Sequence, residues 1–287
     1  MSRRAWRAFR RNRLALVGAV VVLMLGLAAL LAPWIAPHDP LRGSLRDRLK
    51  PPGYRGSAGS YLLGTDALGR DVLSRILHGG RVSVTLGLFV VGVSITVGVT
   101  LGLVSAYVGG FLDTLLGRVV DVLLSFPYLV LAIALMGFLG PGFLNLVVAL
   151  AFKEWVIAYR IVRSETLALK HATFVEASRA LGASPFRILF RHLLLNVLPG
   201  AAVVATLRVG WIVLMEASLS FLGLGIQPPQ PSWGVIIADG RDLLFRAWWI
   251  STFPGIAIFL FVLGINLLGE GLRDALDPRL ATERIPE

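Results

Sequence analysis

The chain has 287 residues, of which 56% are hydrophobic and only 16% charged. That is too apolar for an ordinary soluble domain, in which about a quarter of the residues carry charge. A net charge of +11 would point a soluble protein towards nucleic acid. Here, however, the basic residues stand in short segments beside long apolar runs, so the expected partner is the lipid bilayer and not nucleic acid. Cysteine is absent, which removes disulfides, thiolate metal sites and Cys nucleophiles.

In chain order, a basic tail over 1–13 (Arg3, Arg4, Arg7, Arg10, Arg11, Arg13) precedes a first apolar run over 14–36, from about Leu14 to Ile35. A basic start and an apolar stretch also describe a secretory signal, but about twenty residues exceed the ~7–15 of a signal core. A retained helix with its N-terminus in the cytoplasm is expected. Residues 37–81 are polar and rich in Pro and Gly, an expected extracytoplasmic loop. Within it, Ala67 to Leu77 has helical apolar spacing with charges opposite, which predicts a short helix on the bilayer surface.

A core over 82–270 is expected to hold five further spans. The first, Val82 to Val104, contains Gly98 and Gly102 at the spacing that lets a neighbouring helix approach closely. The next, Val119 to Leu139, contains Pro127 and is expected to kink there. After the turn Gly140-Pro141-Gly142, a span from Phe143 to Ile161 carries Lys153 and Glu154, which must face protein or water. Val197 to Leu222 carries Arg208 and Glu216. Ile250 to Leu268 is expected to be interrupted by Pro254, and 271–287 form a charged cytoplasmic tail. The fold class is therefore an all-α membrane protein with six transmembrane helices. With the N-terminus inside, the connection 163–196 is inside after four crossings, and its Arg163, Lys170, Arg179, Arg187 and Arg191 agree with that side. The arginines of 37–81 fit less well, a tolerable exception in a long translocated loop.

The informative segment is this connection. Thr173 followed by Glu176 is a capping-box pattern and predicts a helix start. Good helix formers fill 176–181, and Gly182 stands where a helix stop belongs. Ser184-Pro185 reads as the N-cap and first turn of another short helix. Phe174, Ala177 and Leu181 share one face of the first helix, with Arg179 opposite. Two turns of helix do not stand alone in water, so either the membrane surface or a partner protein is expected to hold them.

Glu176-Ala-Ser followed by Gly182 resembles the Glu-Ala-Ala…Gly signature of the permeases of binding-protein-dependent ABC importers. Two departures are Ser178 for the second Ala and Leu195 before Asn196, where the family usually has Pro. The second departure affects the exit of the loop more than the helix. Leu63 to Arg75, Asp121 to Pro127, Glu216 to Gly225 with Pro228-Pro229 and Pro231-Ser-Trp-Gly234, and Asn266 to Arg279 resemble the dipeptide, oligopeptide and nickel branch. They run in the right order over about 60–280, and the chain is most similar to the "C" type of the two permeases.

The resemblance implies the type I ABC importer permease fold in a prokaryotic inner membrane, with both termini cytoplasmic. It implies a heterodimer with a second homologous permease, two ABC ATPase subunits that bind ATP and Mg, and an extracytoplasmic substrate-binding protein. No cofactor is expected in this chain, and its solute would be a di- or oligopeptide, with nickel or another small solute as the alternative. Thr173, Phe174, Glu176, Ala177, Leu181 and Gly182 would belong to the helix that docks on the ATPase, while Arg179 would either join that contact or face solvent and headgroups. Lys153, Glu154, Arg208 and Glu216 either line the pathway or are paired structural charges. Asp66, Arg70 and Asp71 lie either where a binding protein docks or in ordinary turns and caps. No G-x-x-x-x-G-K-[ST] loop is present, and Gly64 to Gly69 lacks the lysine, so ATP hydrolysis by this chain is not expected. A secondary transporter would show repeated halves, of which there is no sign. His38, His78, His171 and His192 lack metal-ligand spacing, so no metal site is expected.

Overall fold

A computed structural model describes residues 9–10, 12–56 and 59–276. Arg3, Arg4, Arg7 and Arg11 of the basic tail, and 277–287 of the C-terminal one, lie outside the described residues. Asn12 caps the first helix, α1 (Arg13–Leu30), through a 3.1 Å bond from the Ala15 amide to its Oδ1, and a one-turn helix, α2 (Ala32–Ile35), follows. A two-stranded hairpin, β1 (Tyr54–Gly56) with β2 (Gly59–Tyr61), lies in the polar loop.

The surface helix expected at Ala67 to Leu77 does not form as a separate element. Its first residues are a turn in which Asp66 accepts from the amides of Leu68 and Arg70 at 2.8 and 2.9 Å. Asp71 then caps α3 (Val72–Val108), a single helix of 37 residues and about 55 Å that runs straight into the apolar span. The helical spacing of 72–77 is real, but nothing after it breaks the helix. Gly79 and Gly80 stay inside because Ser232 and Trp233 pack where side chains would stand.

The third expected span is broken rather than kinked. Helix α4 (Gly110–Ser125) and α5 (Tyr128–Leu139) meet at 92° across Phe126-Pro127. Proline forces the residue before it out of the helical region, and Phe126 is extended at φ −90°, ψ 135°. Helix α6 (Phe143–Leu169) exceeds its expected length, and α7 is the short helix Thr173–Ala180. The second short helix expected at Pro185 is instead the start of α8 (Pro185–Phe221), which is π-helical over Ile188–Leu193 and continues through Pro199. Helix α9 (Trp233–Gly240) lies in the connection to α10 (Trp249–Leu276). Pro254 does not interrupt α10, which continues through it at the cost of the one backbone bond a proline cannot make to Ile250.

Among the described residues, α1, α3, α8 and α10 are long and apolar enough to cross a membrane, and the bent α4–α5 pair would make a fifth span. The chain is thus a mostly helical membrane protein. Close packing needs small residues. A Cβ on Gly98 would lie 2.5 Å from the Trp155 carbonyl, and one on Gly102 2.7 Å from that of Tyr159, so α3 and α6 touch backbone to backbone. Gly98→Leu is therefore expected to leave little monodisperse protein in size-exclusion chromatography after detergent extraction.

Contacts sort the helix ends. At one end Asn12 meets Asp274 (3.3 Å), Lys170 meets the Ala106 carbonyl (3.1 Å) and Arg163 meets Asp113 (2.6 Å). At the other, His38 donates its amide to Ser74 (3.0 Å) and the Trp249 indole donates to the Thr65 carbonyl (3.0 Å).

Candidate functional site

At the end that holds Asn12 and Asp274, α7 projects as a turn built by local chemistry. The residue before the helix is Ala172, not Thr173, and no side chain caps it, so the capping box of Thr173 and Glu176 is not made. The amides of Val175 and Glu176 bond to the Ala172 carbonyl instead. The stop does follow from the glycine. Gly182 has φ +78°, its amide bonds to the Arg179 carbonyl (2.9 Å), and the Ala183 amide reaches that of Ser178 (3.0 Å), the two bonds of a Schellman motif. Ser184 Oγ then accepts from the Arg187 amide at 3.4 Å, and Pro185 occupies the first turn of α8.

The two turns are held by the chain's own core. Val175 is fully buried in a cluster with Val99, Leu103, Val162, Ile188 and Val197, drawn from α3, α6 and α8. Full burial of such a side chain contributes about 1.5–3 kcal/mol, which offsets much of the cost of starting a short helix. One turn on, the Arg179 guanidinium lies 5.6 Å from the centre of the Tyr107 ring. Val175 therefore faces the bundle, while Arg179 rests against Tyr107 and stays exposed. Thr173, Phe174, Glu176, Ala177, Leu181 and Gly182 are all exposed, with Leu181 at 88%. Phe186, 70% exposed and tilted against Phe190, extends the same apolar surface.

The charges within the helices have different tasks. Lys153 Nζ donates to the Phe126 carbonyl, the acceptor freed where α4 breaks. Glu154, 3% exposed, accepts both Nε and Nη2 of Arg208, the latter at 2.8 Å, and Arg208 also lies 5.1 Å from the centre of the Trp211 ring. An isolated Arg in the middle of a span costs roughly 2.5–3.5 kcal/mol or more, and this bidentate partner removes much of that penalty. Glu216 is fully buried and has no cation partner among the described residues. Its oxygens accept from Ser83 (2.8 Å), Ser220 (2.7 Å) and Ser232 (2.8 Å), which fastens α3 and the start of α9 to α8. The four residues do not form one cluster. Glu154 and Arg208 are joined, and Lys153 and Glu216 each act elsewhere.

At the opposite end Asp66, Arg70 and Asp71 build the loop. Asp66 Oδ2 accepts from Arg70 (2.7 Å) and Arg75 (2.6 Å), and both arginines reach Asp239 of α9, at 3.3 and 2.9 Å. Asp71 caps α3 and receives the Ser74 hydroxyl at 2.6 Å. Gly69, at φ +72°, is needed there because a Cβ would fall 1.9 Å from the Ser44 carbonyl. Among the described residues no group of three His, Cys, Asp or Glu could hold a metal.

The profile of the family described as binding-protein-dependent transport system inner membrane component matches residues 98–282. A second, the N-terminal TM domain of oligopeptide transport permease C, matches residues 1–52. This chain belongs to the binding-protein-dependent transport permeases. Among curated relatives, it is 42% identical to the di/tripeptide transport system permease protein DppC of Pseudomonas aeruginosa over 96% of this chain and 91% of the relative. It is 45% identical to a putative peptide transport system permease protein of Brucella suis over 96% and 92%. It is 43% identical to the glutathione transport system permease protein GsiD of Pectobacterium atrosepticum over 97% and 91%. As an inner-membrane permease of an ABC importer, it provides passage and leaves ATP hydrolysis to other subunits of the complex.

Several residues of the permease escape a reading of its sequence. Val175 stands next to Phe174, and nothing local says which of the two is the buried one. Tyr107 and Asp239 carry no local motif, because each acts on a residue distant in the chain. Ser220 is the exception, since it stands one turn after Glu216, within its reach on the same helix.

Proposed function

We propose that the permease is one of two homologous subunits that together enclose the pathway of an ATP-driven importer of di- and oligopeptides. Three relatives, named for di/tripeptide, peptide and glutathione transport, favour a short peptide as the solute. Six crossings of the type I importer fold accommodate every long element: α1, α3, the α4–α5 pair, α6, α8 and α10. Helix α6 is mostly apolar but carries several charges, of which Lys153, Glu154 and Arg163 are matched within the protein. An even number of crossings agrees with the contact of Asn12 with Asp274. Arg163, Lys170, Arg179, Arg187 and Arg191 favour a cytoplasmic place for that end and for both termini.

The observation that carries the reading is α7 itself, a glycine-stopped helix anchored by Val175 with its other faces bare at the cytoplasmic end. Two ATPase subunits, one under each permease, would receive such helices. Phe174, Ala177, Leu181 and Gly182 fill the docking groove, while Arg179 on Tyr107 fixes the angle of the helix. Closure of the ATPases on ATP pushes α7, and α3, α6 and α8, packed around Val175, transmit the push as rigid levers. ATP must favour one state of the bundle over the other for this to drive transport. At the far end, the loop shaped by Asp66, Arg70 and Asp71 meets the substrate-binding protein.

The test is Glu176→Lys in the complete transporter. Glu176 is exposed and has no ion pair among the described residues, so the fold does not depend on it. Normal amounts of membrane-inserted protein with at least about a tenfold loss of ATP-dependent peptide uptake are expected. Normal uptake would overturn the assignment of α7.

A further inference from the structure

Arg208 stands near the middle of α8, and its guanidinium is only partly occupied. Nε and Nη2 hold Glu154, while Nη1 donates to nothing among the described residues. It lines a groove of ≈ 390 Å³ between α6, α8 and α10, along with Trp211, Leu214 and Asn266. Neither the Trp211 indole N–H nor the Asn266 amide makes a hydrogen bond among the described residues. Behind the groove, and sharing Arg208 with it, is an enclosed gap lined by Glu154 and Ser94. Ser94 is 2% exposed, and its Oγ has no partner.

Facing hydrocarbon, this wall would leave three sets of donors unsatisfied, which a bilayer strongly disfavours. Facing water it would not. Unpartnered donors around one fixed guanidinium match a ligand rich in acceptor oxygens. We propose that this groove is a contact site for a carboxylate of the transported peptide. Arg208 Nη1, the Trp211 indole and the Asn266 amide donate to its oxygens. Glu154 holds the guanidinium in register and offsets its charge, which keeps the contact weak enough for the solute to leave, as conduction requires. The assignment rests on the permease reading above, in which this face of the bundle borders the pathway.

The absence of cysteine supplies the experiment. Trp211→Cys and, as a second variant that leaves the donors intact, Leu214→Cys are made in the complete complex in lipid nanodiscs without binding protein. They are exposed to a membrane-impermeant thiol reagent, and labelling is read on this chain alone. Both positions are expected to react, and saturating trialanine is expected to slow Leu214→Cys at least about fivefold while trialanine amide leaves it unchanged. No labelling of either variant with or without ATP would mean that lipid or protein fills the groove, and would overturn the proposal. Equal protection by acid and amide would also overturn it. The unsubstituted complex in vesicles is assayed in parallel for uptake that needs ATP and the binding protein. Failure there would remove the permease reading itself, whatever the labelling.

Discussion

Gly182→Val is expected to enter the membrane and fold, yet lose peptide uptake by at least about tenfold. The left-handed conformation of residue 182 costs an ordinary residue about 1–2 kcal/mol, and a β-branched one more. That sum is small beside the stability of the bundle, but it falls on a helix of eight residues held chiefly by Val175. The stop opens, the bonds from Gly182 and Ala183 back to Arg179 and Ser178 are lost, and Leu181 and Phe186 leave their positions. Gly182→Asn provides the control, since asparagine tolerates the same conformation and nothing lies within 4 Å of a Cβ there. It is expected to retain most of the uptake. If both variants fail equally in a vesicle uptake assay, the glycine is required by a partner's surface and not by the backbone.

The second large effect concerns Glu154. Glu154→Leu leaves Arg208 without its bidentate partner, and because the guanidinium borders the groove the cost falls below the about 3–5 kcal/mol of a fully buried broken pair. A marked fall in the unfolding temperature of the purified permease in lipid or detergent is expected. Replacing both partners, Glu154→Leu with Arg208→Leu, is expected to recover most of that stability, because two apolar groups need no partner. A double variant as unstable as the single one would mean that the pair matters to folding for a reason other than charge.

What the sequence disclosed here was chemistry between near neighbours. Gly182, Ser184 and Pro185 act on residues within one turn, and their roles are those expected. The failure at Thr173 has the same root. The pattern of a capping box permits the bonds but does not require them, and Ala172 supplied a backbone start instead. Ala67 to Leu77 went wrong at the junction, because helical spacing tells where a helix exists but not whether it continues into the next one. The apolar runs gave the body of the fold, and the resemblance gave the family. The burial of Val175, the clasp of Arg75 on Asp239 and the serines around Glu216 depend on residues far apart in the chain. No window of sequence holds both partners.

The bend between α4 and α5 has a bearing on how the protein is made. Pro127 opens the chain at Phe126, but the carbonyl left bare there is satisfied by Lys153, which lies on the next long helix. During synthesis the proline emerges well before the lysine, and chains fold from the N-terminal side first. The bent pair thus enters the membrane with the Phe126 carbonyl lacking its later partner, and the arrival of α6 supplies that contact to an angle Pro127 has already begun. A truncation after Gly142 would be expected to leave this segment without its final form, so the ribosome must deliver the helix that follows before the one in hand is complete.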